Sequence, residues 1–235
     1  MLIRIPRLII GLLLFGIADA FMMRAGLGVG PWLVFAQGLS HATGIGIGLL
    51  TNIIGLVVLL AWIPLRQRPG IGTVLNILLV GPGLELGLWM FPTPELLAVR
   101  IGYFAFGLAL LAVASGIYIG SHLGPGPRDG LMTGLHSRFN VPLWAGRTAI
   151  EVTVLIVGWA LGGDAWIGTV VFAVLIGPLC GITLPLFDPD LRRSAKTPKP
   201  RPEAGGVLTS GDPDQDQDQA KGDPEEAILR SQEPC

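Results

Sequence analysis

An all-α polytopic membrane protein is the fold class this sequence predicts: six transmembrane helices as two inverted three-helix repeats, each with a short half-helix after its first span. Three observations carry that reading. Hydrophobic residues make up 51% of the 235-residue chain and charged residues 14%, whereas a water-soluble domain carries about 25% charged residues. The segment Ile71-Gly72-Thr73-Val74 with Gly81-Pro82 returns 96 residues later as Ile167-Gly168-Thr169-Val170 with Gly177-Pro178. The same offset maps Gly28-Val29-Gly30-Pro31 onto Gly124-Pro125-Gly126-Pro127 without a gap, so the chain is a tandem duplication. Third, the arginines are distributed between loops in a way that orients each span.

A helix crosses the bilayer with about 20 apolar residues. In the first repeat, residues 1–95, the segments about 7–24, 44–63 and 71–91 are long enough. In the second repeat, residues 96–187, the segments are about 98–120, 142–162 and 166–187. The first span follows Arg4 and Arg7 and contains Ala18-Asp19-Ala20, a pattern shared with cleavable signal peptides. Its alignment with 104–120, deep inside the second repeat, predicts that it is retained. Residues 30–41 then form a half-helix, opened by Gly28, Gly30 and Pro31, where proline at the first helical turn forfeits no hydrogen bond. Prolines and arginines across 64–70 end the second span, and Phe91-Pro92-Thr93-Pro94-Glu95 separates the repeats. The second half-helix, 126–139, is opened by Gly124, Gly126 and Pro127, and Gly162-Gly163-Asp164 divides the last two spans. Residues 188–235, rich in Pro, Asp, Gln and Lys, are predicted to be a disordered tail with a basic start beside the lipid headgroups.

Three spans per repeat is an odd number, so the second repeat enters the membrane from the opposite side. With a cytoplasmic N-terminus, Arg4, Arg7, Arg66, Arg68, Arg128, Arg138, Arg192, Arg193, Lys196, Lys199 and Arg201 lie inside. Arg24 and Arg100 lie outside, beside Glu95 and Asp164. That positive-inside bias predicts cytoplasmic N- and C-termini and half-helices approaching from opposite faces.

Leu27-Gly28-Val29-Gly30-Pro31-Trp32, the paired Ile-Gly-Thr-Val motifs, Gly124-Pro125-Gly126-Pro127-Arg128-Asp129-Gly130-Leu131 and Arg147-Thr148-Ala149-Ile150-Glu151 carry a resemblance. Over residues 7–187 the chain resembles the YczE/YyaS/YitT-type family of bacterial integral membrane proteins, and its YczE-like branch most closely. The resemblance implies a multi-pass protein of the bacterial plasma membrane. In that family an acidic residue often follows the Pro-Trp pair, with a histidine three positions later. Here those positions are Leu33 and Ala36, which leaves Gln37 as the long polar side chain of the first half-helix.

Ionisable side chains inside spans are costly and face the bundle interior or a wet cavity. Arg147 and Glu151 stand four apart, on one helix face. Arg128 and Asp129 sit at the positive N-terminal end of the second half-helix, an anion-receptive arrangement that Asp129 partly cancels. These four, with Gln37 and with Glu85 after the helix interruption expected at Gly81-Pro82-Gly83, are the candidate pathway residues. The competing reading makes the four a structural network holding the half-helix to the bundle. Asp19 and Arg24 read as interfacial, and Asn52, Asn76, Thr73 and Thr169 as interhelical hydrogen-bonding groups. Trp32, Trp62, Trp89, Trp144 and Trp166 read as an aromatic belt.

His41, His122, His136, Cys180 and Cys235 show no metal-ligand spacing, so no metal or cofactor is expected. The glycines lack the strand and Lys-Ser/Thr context of a phosphate loop, and neither an enzyme nor a nucleic-acid partner is expected. The leading expectation is a small transporter or channel-like protein, its site where the half-helices meet and its partners the lipid bilayer and a small solute or ion. The alternative is a membrane-embedded interaction or regulatory partner without transport.

Overall fold

The computed structural model describes residues 4–188, which form nine α-helices and no strand. They are α1 (Arg4–Ala25), α2 (Pro31–Thr43), α3 (Ile47–Leu60), α4 (Trp62–Leu65), α5 (Ile71–Met90), α6 (Leu97–Ile119), α7 (Pro127–Phe139), α8 (Leu143–Ala160) and α9 (Ile167–Phe187). Six stretches are long and apolar enough to cross a membrane: α1, α3 continued by α4, α5, α6, α8 and α9. The protein is therefore an all-helical membrane protein. The tail expected at 188–235 lies, beyond Asp188, outside the described residues.

Close packing of α1 sets the core. Gly16 of α1 lies against the backbone of Val80 and Leu84, and Gly83 of α5 against Leu13. On the other side, Gly107 of α6 faces Ala18 and Phe21. Small residues let these backbones approach, the usual route to helix association where lipid offers no hydrophobic drive. Leu8, Leu12, Ala18, Met22 and Leu84 are fully buried as a result. By contrast Ile167, Val170 and Val174 of α9 stand 82%, 66% and 65% exposed, as apolar side chains facing lipid would.

Contacts between distant residues sort into two ends. At one end Arg7 donates to the Phe187 carbonyl, Gln67 to Ser137 at 3.1 Å, and His122 pairs with Asp188 at 3.2 Å. At the other Arg24 donates to Thr93 at 2.9 Å, Arg100 to Ala25 and Gly26, and the Gly48 N–H to Glu85 Oε1 at 2.8 Å. Residues joined at one end are those the six-span reading places on one side of the membrane.

Two expectations are corrected. Helix α5 runs unbroken through Pro82, and α9 through Pro178 and Pro185, so neither Gly-Pro pair interrupts its helix. Beside Pro82, Asn52 Oδ1 of α3 accepts the Gly81 N–H at 3.1 Å, tying the two helices together at that turn. The aromatic belt keeps Trp89, Trp144 and Trp166 on the surface, but Trp32 and Trp62 are buried at 7% and 2% exposure. Trp62 Nε1 donates to the Pro127 carbonyl at 3.0 Å, and its ring covers Gly130. That ring fastens α7 to the first half of the chain.

Candidate functional site

The site is built from two short helix starts of nearly identical backbone geometry. Gly28 and Gly124 hold φ of +114° and +123°, a region open to glycine and strained for any other residue. The helix-capping glycines, Gly30 and Gly126, have φ/ψ of −62°/153° and −62°/159°, and Pro31 and Pro127 follow. Each start docks on the other half of the chain. The Gly168 N–H donates to the Leu27 carbonyl at 2.7 Å, and the Gly72 N–H to the Leu123 carbonyl at 2.8 Å. At 13 residues each, α2 and α7 are about 20 Å long, short of a crossing.

Between the starts lies a cavity of about 160 Å³ lined by residues of every described helix except α4. That is room for several waters or a small solute. Nine pairs of positions 96 apart contribute to its wall, among them Gly30 with Gly126, Trp32 with Arg128, Leu33 with Asp129, Thr51 with Arg147, and Gly55 with Glu151. In four of the nine the first member is uncharged and the second is charged: Trp32 with Arg128, Leu33 with Asp129, Thr51 with Arg147 and Gly55 with Glu151.

Charges in the cavity are partly paired. Arg147 Nε donates to Glu151 Oε1 at 3.0 Å, across one turn of α8. The Tyr118 hydroxyl donates to Asp129 Oδ2 at 2.9 Å. The Arg128 guanidinium lies 5.0 Å from the centre of the Trp32 ring, a cation–π contact worth roughly 0.5–2 kcal/mol. Asp19, Asp129, Tyr118 and Glu151 act on it electrostatically. No hydrogen bond or ion pair joins Arg128 to another described residue. Asp129 also borders a second hollow of about 410 Å³ with Ile119, His122, Gly124 and Pro125.

Of the residues expected at the site, Arg128, Asp129, Arg147 and Glu151 line the cavity, with Gly30, Pro31, Gly126 and Pro127. Gly28 and Gly124 sit just before the starts. Gln37 and Glu85 lie elsewhere. Gln37 accepts the Asp164 N–H at 3.2 Å, tying α2 to the α8–α9 turn. Glu85 accepts the Gly48 N–H, serving as a cap for α3, whose own cap residue Gly46 has no side chain to offer.

Asp19, Asn76 and Tyr118 line the cavity unannounced. Asp19 is 6% exposed and not interfacial as expected, on a stretch of α1 held between α5, whose Gly87 lies against Ala20, and α6, whose Gly107 lies against Ala18. A signal was available: the position 96 residues after Asp19 is Ser115, polar again inside an apolar span.

These features define a class: a helical membrane protein with six helices long enough to span and a cavity holding charged side chains where two short helices begin. The chain belongs to the family described as "Family of unknown function (DUF6198)", which matches residues 2–185. It is similar to a Haemophilus influenzae protein described as uncharacterized, 37% identical over 170 residues, 72% of this chain and 78% of the relative. It is also similar to the Bacillus subtilis uncharacterized membrane protein YczE, 31% identical over 175 residues, 74% and 81% of the two chains. Bacillus subtilis YyaS is 23% identical over 185 residues, 76% and 91% of the two. The resemblance drawn from the Gly-x-Gly-Pro and Ile-Gly-Thr-Val motifs is thereby borne out. No solved structure matches the chain.

Proposed function

We propose that this protein is a small transporter or channel-like protein of the bacterial plasma membrane, built as two inverted repeats with both termini cytoplasmic. The solute pathway runs through the cavity where α2 and α7 begin, and Arg128, Asp129, Arg147 and Glu151 are its principal polar groups. The observation that carries the reading is the lining itself: nine pairs of positions 96 apart meet around one cavity. Both short helices start there and run outward, α2 toward the Arg24 and Asp164 end and α7 toward the Gln67 and His122 end. Sites at the interface of inverted repeats, faced by the N-termini of helices shorter than the membrane, are a recurring plan of secondary transporters. The second hollow beyond Asp129 supports a route from the cavity toward the His122 end.

Flux into proteoliposomes holding the purified full-length chain tests this. Arg147→Leu removes the cation from α8 and leaves Glu151 without its partner, and it is expected to lower flux at least tenfold; flux equal to wild type would take Arg147 and Glu151 out of the pathway. Absence of flux for every solute, together with a stoichiometric partner crosslinked in native membranes, would replace the pathway with an interaction role.

A further inference from the structure

We propose that the cavity takes a small monovalent anion at Arg128 together with one proton at Asp19. The proposal rests on the pathway reading and assigns that pathway a substrate class. Two groups of opposite charge in the cavity are left without a hydrogen-bonded partner among the described residues: the Arg128 guanidinium and the Asp19 carboxylate. Asp19 is 6% exposed, lies in the cavity wall, and feels Arg128 electrostatically without forming an ion pair with it. A buried carboxylate in that position is stable when a nearby positive charge compensates it or when it carries a proton.

The surrounding groups point the same way. From α7 the cavity receives Arg128 and Asp129, from α6 Tyr118, and from α8 Arg147 and Glu151. Asp129 is engaged by Tyr118 and Glu151 by Arg147. The walls from α2, α3, α5 and α9 contribute Trp32, Thr51, Asn76 and Phe172, none of them ionisable. Arg147 commits its Nε to Glu151, whereas no Arg128 donor is hydrogen-bonded among the described residues, and the α7 start that carries Arg128 adds its positive N-terminal end. An anion seated there offsets the positive field with which Arg128 favours the Asp19 carboxylate, and the carboxyl binds a proton from cavity water. A metal cation is the poorer companion. No three His, Cys, Asp or Glu side chains converge for one among the described residues, and Arg128 repels it. Anion and proton then favour each other's binding, by the reciprocity of linked equilibria.

Nitrate is the probe, because it does not itself titrate in the relevant range. Detergent-purified full-length protein is titrated with sodium nitrate in weak buffer while a pH indicator reads proton uptake. The expected result is binding with up to one proton taken up per nitrate, and an affinity that tightens by as much as about tenfold per unit fall in pH. Asp19→Asn, close to isosteric, binds nitrate with no proton uptake and a flat pH profile, and Arg128→Gln does not bind. Wild-type binding without proton uptake overturns the proposal, as does uptake retained in Asp19→Asn or no binding of nitrate at any pH. Should Asp19→Asn fail to fold, proton uptake by the wild type alone decides. Binding in detergent needs no transport, so a negative result here leaves the pathway reading standing. Binding without flux in proteoliposomes removes the pathway and keeps the site.

Discussion

The starts of α2 and α7 share a backbone and differ in chemistry. Both have glycine at φ above +110°, glycine at the cap, proline at the first turn, and a carbonyl docked on the first turn of a helix from the other half. Yet α2 begins Pro31-Trp32-Leu33 and α7 begins Pro127-Arg128-Asp129. Even the packing behind them is exchanged. Val34 of α2 lies against Gly158 of α8, while at the matching positions Gly130 of α7 lies under Trp62 of α4. The lesson is a division of labour. At the two starts the residues that set backbone geometry are alike, and the two that follow each proline differ in charge, so the backbone is shared while the chemistry is one-sided.

Breaking the shared backbone should have the largest effect. A Cβ at Gly28 would lie 2.7 Å from the Thr169 backbone nitrogen, whereas at Gly124 the nearest atom is the Gly70 Cα at 3.0 Å. Strain of this kind costs about 1–3 kcal/mol before any clash. Gly28→Val is expected to abolish the monodisperse peak in size-exclusion chromatography. Gly28→Ala should also lower the thermal midpoint more than Gly124→Ala; the reverse order would mean that the closer contact at Gly28 does not set the cost.

A middle-sized contrast separates the threonines behind the starts. The Thr73 hydroxyl donates to the Pro125 carbonyl at 2.7 Å and accepts the Gly70 N–H at 3.3 Å. The Thr169 hydroxyl, at the matching position, is buried with no such partner among the described residues. Thr73→Val should destabilise by about 1–2 kcal/mol and Thr169→Val by about 0 or less. Chemical denaturation in detergent gives both values, and equal losses would show that the asymmetry is absent in solution.

The smallest effect is expected at Gln37. It reaches the Asp164 turn and not the cavity. Gln37→Leu should therefore leave nitrate binding and flux within about twofold of wild type, at a stability cost under roughly 1 kcal/mol. A tenfold loss of binding would put α2's polar side chain back into the site.

Much of this was legible in sequence, for physical reasons. Length and apolarity find a membrane helix directly, because the bilayer sets its size, and a Gly-x-Gly-Pro start marks a helix N-terminus by local sterics alone. Arg128, Asp129, Arg147 and Glu151 stood out because charge is conspicuous in apolar segments. Asp19 was misplaced because its depth depends on how α5 and α6 close around α1, which its own span does not encode. Glu85 misled for a related reason: its partner is the uncapped start of α3, 37 residues away. The proline at 82 read as a break because it withdraws a donor from the helix ladder, whereas α5 is packed at that turn against α3 through Gly81 and against α1 through Gly83.

The reciprocal docking also sets a schedule for synthesis. The Leu27 carbonyl finds its partner at residue 168, so the first short helix is held open while about 140 further residues are made. At translation rates of roughly 5–20 residues per second that wait is on the order of ten to thirty seconds. Through it the Gly-x-Gly-Pro start must be sheltered by lipid, water or the insertion machinery. The nascent first half is thus an incomplete object, and its order in time is imposed by the last of the described helices to emerge.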